Sequence, residues 1–293
     1  MSSAYDIKKR IRSVSSTAEL TRAMYLISTS RIRRAMLMYQ SNRLYSDHAR
    51  QAIKHILSHM PDYSHKYLKR TRREGGAVCF VVIASDRGMA GGYNHDVCAA
   101  ALEAMRACRG RVTLITVGAM AAEFFRREGI KTDYEYRDIL DPPTISAARR
   151  IMESITERME AGSIDEAMVF YTHMINKVRQ EVRVDRLLPL LIQDFRDVTY
   201  DPDFRDADIS YEPGPQEVIT ALVPQYVLGQ LYGMLVQSYA SEHSKRMQAM
   251  DESTRNADEL LEKLNLEYNA TRQSAVTREI TEIAAGAEAA GKQ

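Results

Sequence analysis

The feature that most constrains this fold is an uninterrupted helical repeat over the first 60 residues. Apolar, small and hydroxyl residues recur there at alternating spacings of four and three, and neither Gly nor Pro occurs before Pro61. The repeat predicts one long helix. Because many of its members are small, each buries little apolar area, and the helix needs further partners. The members are Ile7, Ile11, Val14, Ala18, Thr21, Tyr25, Ser28, Ile32, Ala35, Tyr39, Asn42, Ser46, Ala49, Ile53, Ile56 and Met60.

The C-terminal part carries a matching repeat. At about 1.5 Å per residue, roughly 55 residues of the first helix and roughly 65 residues from Gln216 onward would span about 80 and 100 Å. Such helices at both ends of a middle domain predict an antiparallel coiled coil rooted in that domain. Residues 1–60 hold eleven Lys and Arg against three Asp and Glu, net +8, whereas residues 251–293 hold five against nine, net −4. These opposite charges favour the pairing.

The members of this second repeat are Met247, Met250, Thr254, Ala257, Leu261, Leu264 and Tyr268, followed after a shift of one residue by Val276, Ile280 and Ile283. A shift of this kind locally alters a supercoil. Nearer the start of the same helix, Pro224 with Gly229 and Gly233 predicts a bend or a break.

The middle of the chain has a different pattern. Short apolar, β-branched runs predict strands covered on both faces, at residues 78–83, 112–117 and 167–172, with a further strand at 182–192. Helical patterns alternate with them at 96–109, 120–128 and 145–161. This alternation predicts a small Rossmann-like α/β domain with a mainly parallel sheet. The predicted domain division is 1–60, 75–210 and 216–285.

Composition excludes several classes of protein. The net charge of +1 gives no strong general affinity for nucleic acid, and Cys79, Cys98 and Cys108 lack C-x-x-C spacing, which argues against a disulfide framework or a zinc site. We expect a reducing compartment. No window approaches 18 apolar residues, and the repeat that begins by Ile7 leaves no room for a transit peptide. We therefore expect a protein that is neither secreted nor membrane-spanning.

One segment follows a strand and precedes a helix as a phosphate loop would: Ser-Asp-Arg-Gly-Met-Ala-Gly-Gly-Tyr-Asn at 85–94, here called the 85–94 turn. It lacks both the Lys-Ser/Thr of a P-loop and the three-glycine dinucleotide spacing. The favoured interpretation is a tight turn in which Asn94 or Asp96 caps the following helix. A nucleotide-dependent enzyme is the alternative, and ligand-induced stabilisation of the isolated chain would indicate it.

Two further groups could bind a ligand. His55 and His59 stand four residues apart, yet no carboxylate or thiolate occupies a supporting position, so solvated or core histidines are the favoured interpretation.

A run of basic residues on the first helix could bind phosphates. It lacks interleaved aromatic residues, so an acidic protein partner is favoured over nucleic acid. A nucleic-acid-binding coiled coil is the alternative here. The run consists of Arg22, Arg31, Arg33, Arg34 and Arg43. We predict no metal, cofactor or catalytic residue.

Several blocks resemble the gamma subunit family of F-type ATP synthases, in the family's order and over nearly the full chain. They are residues 7–17, 20–24, 85–94, 211–213, 241–250 and 266–280. Residues 242–250 and 268–279 are the most specific. The resemblance implies that the terminal helices form a shaft inside a hexamer of alternating alpha and beta subunits, with the α/β domain near the c ring. Proton or sodium flow would turn the ring and the shaft, and the asymmetric shaft would change nucleotide affinity at each beta site in turn.

The resemblance also implies contact residues and a location. Positions implicated in coupling and hexamer contact are Met24, Arg246, Gln273, Thr277 and Glu279, and those in the region touching the c ring are Tyr211 and Glu212. The implied partners are alpha, beta and epsilon subunits and the c ring, without nucleic acid. The implied location is the cytoplasmic face of a bacterial cell membrane.

This chain departs from the family at two places in the helices. The usual Ala-Ala-Ser-Lys reads Ser-Thr-Ser-Arg at 28–31, and Lys245 stands where a small residue is common. Arg31 keeps the charge of lysine but offers a planar fork, which alters the expected contact with an acidic loop of beta. The chain also lacks the cysteine-containing insertion of chloroplast gamma subunits, which indicates a bacterial type.

Overall fold

The structure, a computed structural model, describes residues 4–60, 63, 65–69, 75–200 and 210–290. They form two compact units. The coiled-coil unit contains the described parts of 1–28 and 247–293, and the α/β unit contains those of 29–246. Helix α1, Ala4–His59, and the last helix, α5, Pro215–Ala290, contribute to both units. With 56 and 76 residues, these helices are about 84 and 114 Å long.

The two long helices pair with each other. In the α/β unit, Asn42 of α1 donates to the carbonyl of Gly229 at 2.9 Å, and Tyr45 donates to Gln225 at 3.0 Å. The second pair lies further along α1 but nearer the start of α5, so the two helices run antiparallel. In the coiled-coil unit, the hydroxyls of Thr21 and Thr254 lie 2.8 Å apart. The predicted antiparallel pair is confirmed.

Burial follows the predicted repeats. Every predicted member on α1 is buried or half-buried, as are those on α5 from Met247 to Tyr268. The shifted members differ: Val276, Ile280 and Ile283 are 48%, 62% and 66% exposed. Small residues on α1 therefore do face a partner, whereas the last apolar stripe of α5 stays uncovered in this chain.

The α/β unit contains a five-stranded sheet with the order β4-β3-β2-β5-β6. Strands β2, β3, β4 and β5 are parallel, and β6 is antiparallel to β5. A separate two-stranded sheet pairs β1 with β7 in parallel. The strands are β1 Leu68–Lys69, β2 Val78–Ile83, β3 Val112–Val117, β4 Tyr134–Tyr136, β5 Glu166–Met174, β6 Gln180–Leu188 and β7 Leu190–Leu191.

Three shorter helices pack with this sheet: α2 Tyr93–Ala107, α3 Ala119–Arg127 and α4 Ile145–Glu160. One core cluster joins β2, β3 and β5 to α2 and α3, with the rings of Phe80 and Phe170 4.9 Å apart and Phe125 fully buried. The pattern of two-sided burial explains the continuous apolar strands. The predicted Rossmann-like, mainly parallel domain is confirmed.

Two predictions about helices and strands need correction. The predicted strand 182–192 is divided into β6 and β7 with Pro189 between them, because proline has no N–H for a strand ladder. Of the bend or break predicted near Pro224, the break is wrong, since α5 continues through it. The glycines nearby permit close packing instead: a Cβ added to Gly229 would lie 3.3 Å from Ser46 Oγ, and one added to Gly233 would lie 3.0 Å from Asn42 Nδ2.

The expectation about apolar length is also wrong for α5. Residues Pro215–Ala284 include an 18-residue window that is long and apolar enough to cross a membrane, although 56% of that window is buried inside the structure. Tertiary packing accounts for this composition, because helix residues such as Val227, Leu231, Leu235 and Val236 are buried in the α/β unit.

Candidate functional site: a polar seam at the carboxyl edge of the sheet

The order of the strands creates a crevice at one edge of the sheet. From β2 the chain proceeds outward to β3 and β4, and then returns to place β5 on the other side of β2. In open parallel sheets, ligands bind beyond the carboxyl ends of the strands at such a reversal. In this fold that position lies between the ends of β2 and β5, next to the 85–94 turn.

Helix α5 occupies this crevice with its own hydroxyl groups. Ser238 Oγ donates to the carbonyl of Ile83 at 3.4 Å, at the end of β2, and lies 2.7 Å from the Tyr93 hydroxyl. Ser241 Oγ donates to the carbonyl of Thr172, near the end of β5, at 3.0 Å. Both serines are fully buried. Burial raises the pKa of Tyr93, so its phenol stays protonated and can donate to Ser238.

The same face of α5 continues this contact on either side. Gln237 Oε1 accepts from the backbone N–H of Met174 at 3.1 Å. Ser244 Oγ donates to the carbonyl of Lys177 at 2.7 Å and accepts from Gln180 Nε2 at 2.6 Å. We call Gln237, Ser238, Ser241 and Ser244 the polar seam. It satisfies polar groups at the ends of β2 and β5 that a ligand would otherwise meet.

The 85–94 turn is stabilised from within. Asn94 Oδ1 accepts from the backbone N–H of Ser85 at 2.9 Å and lies 2.8 Å from Ser85 Oγ. Helix α2 begins at Tyr93 with Gly92 as its N-cap and no side-chain cap. The prediction that Asn94 or Asp96 caps the helix is therefore wrong: Asn94 closes the turn instead. Gly91 has a φ of 54°, which explains a glycine there.

Arg246 connects this turn to α5. Its Nη2 donates to the carbonyl of Gly88 at 3.0 Å and to that of Arg87 at 3.3 Å. Its Nη1 donates to Glu242 Oε1 at 2.7 Å and lies 3.2 Å from His243 Nδ1. Arg246, Glu242 and His243 are only 6%, 7% and 2% exposed. The predicted hexamer-contact residue Arg246 is thus turned into the α/β unit of its own chain.

Electrostatics of this cluster follow from burial. Desolvation raises the pKa of Glu242 above its ordinary value, although the Arg246 cation opposes the shift. Desolvation also lowers the pKa of His243 to about 3, and the cations of Arg246 and Arg31 add to this effect. His243 is consequently a neutral imidazole between two guanidinium groups at physiological pH.

The other predicted contact residues lie elsewhere. Met24 is half-buried on α1, and Gln273, Thr277 and Glu279 are exposed on α5, all within the coiled-coil unit, whereas Arg246 belongs to the α/β unit. Their exposure leaves Gln273, Thr277 and Glu279 available to another molecule.

Near the opposite end of α1 lie the predicted c-ring contact residues Tyr211 and Glu212, here called the foot. Tyr211 Oη lies 2.8 Å from His55 Nδ1, and Glu212 is exposed. His55 also packs on His59, with ring centroids 4.5 Å apart. Within the part of the chain that the structure describes, no three His, Cys, Asp or Glu side chains are grouped so as to hold a metal ion.

The polar seam was missed at the level of sequence, although a signal was present. Ser238, Ser241 and Ser244 recur every three residues on a helix that buries many apolar residues. Hydroxyl groups at such spacing lie on one side of a helix and need partners when they are buried. The sequence did not show which backbone groups those partners are.

The fold and the site define a class of protein. A Rossmann-like domain whose crevice at the strand ends is filled by its own long helix, paired with a second long helix, is built as a mechanical element. Comparisons with known proteins agree. A family model described as ATP synthase matches residues 3–290.

Curated relatives are similar over almost their whole length. The ATP synthase gamma chain of Caldanaerobacter subterraneus subsp. tengcongensis is 37% identical over 292 residues, covering 96% of this chain and 98% of the relative. That of Alkaliphilus metalliredigens is 37% identical over 284 residues, covering 97% of each. The chain belongs to the ATP synthase gamma chain family.

Solved structures share the fold. A chain in the central stalk and c-ring structure of Tetrahymena thermophila mitochondrial ATP synthase has a TM-score of 0.60 and 19% identity, covering 80% of this chain and 98% of that one. A chain of the Euglena gracilis mitochondrial ATP synthase has a TM-score of 0.57 and 17% identity, covering 98% and 97%.

Proposed function

We propose that this chain is the central rotor shaft of an F-type ATP synthase and couples ion-driven rotation of the c ring to ATP synthesis or hydrolysis in the alpha/beta hexamer. The observation that carries the proposal is the polar seam. A crevice that binds ligands in related folds holds Ser238 and Ser241 of α5, so the α/β domain anchors a helix there. The chain is non-catalytic in this proposal and uses no cofactor.

The seam suits a part that carries torque. Its hydrogen bonds are directional and buried, whereas apolar packing alone is non-directional and permits sliding. Rotation of the α/β domain would therefore be transmitted to α5 at the polar seam. The shaft then acts by differential binding: at each angle it contacts three beta subunits differently, so their nucleotide affinities differ.

The proposed contacts divide between the two units. Met24, Gln273, Thr277 and Glu279 would meet the hexamer. The burial of Arg246 favours an indirect role, because its guanidinium holds the carbonyls of the 85–94 turn and is not exposed to a partner. The proposed domain division remains 1–60, 75–210 and 216–285.

The foot and the location complete the proposal. Exposed Glu212, with Tyr211 held by His55, would contact the c ring. A carboxylate in this position fits polar, basic loops through charge-assisted hydrogen bonds. The chain would also bind the epsilon subunit. It would lie at the cytoplasmic face of a bacterial membrane, peripheral through the complex.

Co-purification and pumping test the proposal together. Co-expressed alpha, beta and epsilon subunits should be recovered with the tagged chain in a fixed ratio, and the complex reconstituted with the c ring should pump ions when ATP is added. Failure to recover these subunits would refute the assignment. The isolated chain should show no rise in melting temperature with Mg-ATP, since the crevice is filled. A rise would instead support a nucleotide-dependent enzyme.

A further inference from the structure

Two arginines from different long helices reach two different loops at the carboxyl edge of the sheet. Arg246 of α5 donates to the carbonyl of Gly88 in the turn after β2. Arg31 of α1 places its Nη1 2.7 Å from Asp141 Oδ1, in the connection between β4 and α4. Each long helix therefore has its own polar connection to the α/β domain at this edge.

His243 lies between the two guanidinium groups. Its Nδ1 is 3.2 Å from Arg246 Nη1, and its Nε2 is 3.5 Å from Arg31 Nη1. Since guanidinium groups only donate, a neutral imidazole can accept from one of them and separates the two cations. Tyr239 packs edge-on against its ring at 4.5 Å between centroids, which limits its movement.

We propose that Arg31 and Asp141 are positioning residues for torque transmission: their ion pair fixes α1 to the α/β domain where Arg246 fixes α5, so that both helices turn with the domain. This inference rests on the proposed rotor function. It adds that α1 has a specific attachment at this level and does not merely follow α5.

The packing around Arg31 explains why an ion pair is needed. Its buried neighbours on α1 are Ser28, Ile32 and Ala35, and two of these three side chains are small. They bury little apolar area, so their packing resists sliding weakly. The Arg31 and Asp141 side chains are 34% and 41% exposed, so solvent screens their attraction. We therefore expect the pair to affect rigidity more than the free energy of unfolding.

The test uses the assembled complex with alpha, beta and epsilon subunits and the c ring. Asp141→Asn should lower the torsional stiffness of the rotor, measured from angular fluctuations of a bead on the stalled complex, because α1 loses its ion pair at this level and keeps the more distant contacts of Arg50 and Lys54. Ions pumped per ATP hydrolysed should fall with it. The melting temperature and the ATPase activity of the complex without the ring should stay at wild-type values.

Three further variants make the result specific. Arg31→Gln removes the same ion pair from the helix and should give the same loss, whereas Arg31→Lys keeps the charge and should resemble wild type. Glu128→Gln is the matched control, since it removes an exposed ion pair with Arg106, at 3.6 Å, that involves neither long helix. It should change neither stiffness nor pumping.

The inference is overturned if Asp141→Asn keeps wild-type stiffness and pumping, if Arg31→Gln does not share its loss, or if Glu128→Gln causes an equal loss. Each of these outcomes requires a wild-type complex that pumps. A wild-type complex that assembles with no pumping would instead contradict the proposed rotor function.

Discussion

Replacing Arg246 with alanine should destabilise the α/β unit strongly. The substitution removes the cation that lies 2.7 Å from Glu242 Oε1 and leaves that carboxylate only 7% exposed. Breaking a buried ion pair by removing one partner typically costs about 3–5 kcal/mol. Glu242 can relieve part of this cost by taking up a proton, so we expect a loss of about 3 kcal/mol at pH 8.

The loss should depend on pH in a defined direction. Burial raises the pKa of Glu242 in the folded state, and Arg246 opposes that rise. The variant should therefore have a still higher folded pKa, so its folded state binds the proton more tightly than its unfolded state does. Stability then falls as pH rises from the unfolded pKa, about 4.3, through the raised folded pKa. The difference from wild type should be smaller at pH 5 than at pH 8.

A double variant separates the lost charge pair from lost packing. Glu242→Gln with Arg246→Met keeps similar volumes without burying a charge, and replacing both partners in this way is often close to neutral. The carbonyl of Arg87 belongs to an exposed residue, and Gly88 is half-buried, so water can replace the guanidinium there. We expect the double variant to recover most of the stability lost in Arg246→Ala.

The assay is denaturant unfolding of the isolated chain, followed by near-ultraviolet circular dichroism of its tyrosines. Tyr93 and Tyr239 are buried in the α/β unit and report its packing. A loss below about 1 kcal/mol at pH 8, as for an exposed pair, would refute the reasoning. An equal loss at pH 5 and pH 8 would refute the role of Glu242.

Four further predictions concern the long helices and the foot. Serine substitutions of the exposed stripe at the end of α5 should leave the unfolding of the isolated chain unchanged yet weaken ATP-driven rotation, and normal rotation would contradict a bearing role. That stripe is Val276, Ile280 and Ile283. Met24→Lys should reduce pumping per ATP with assembly intact, because it adds a cation to a face expected to meet an acidic loop of beta; normal coupling would exclude that contact. Glu212→Lys should abolish pumping in membranes while the detached hexamer hydrolyses ATP, and loss of both activities or of neither would exclude the ring contact. Gly233→Val should lower the melting temperature, since even a Cβ there lies 3.0 Å from Asn42 Nδ2, and an unchanged temperature would show that the helices can separate without cost.

The long helices could be predicted because their signal is local and repeated. Burial of Ile7, Ala18, Ile32 and Ile53 on α1 follows the spacing of four and three, and any helix with that spacing presents those residues on one face. The strands β2 and β3 were equally clear from continuous apolar runs. The break predicted as one alternative at Pro224 is wrong for the same reason, because a local rule about proline does not include the packing that keeps α5 helical through it.

Sequence by itself determined the two long helices, the strands β2, β3 and β5 and the alternation that makes a parallel sheet, since these depend on periodicity and on residue type along the chain. The short strands β1 and β4 and the division of β6 from β7 were not predicted. Only the tertiary structure decided that Ser238 and Ser241 fill the crevice between β2 and β5, and that Arg246 binds the 85–94 turn of its own chain. The physical reason is that a hydroxyl or guanidinium group can satisfy any acceptor within reach. Its partner is therefore set by distances between segments that lie far apart in sequence.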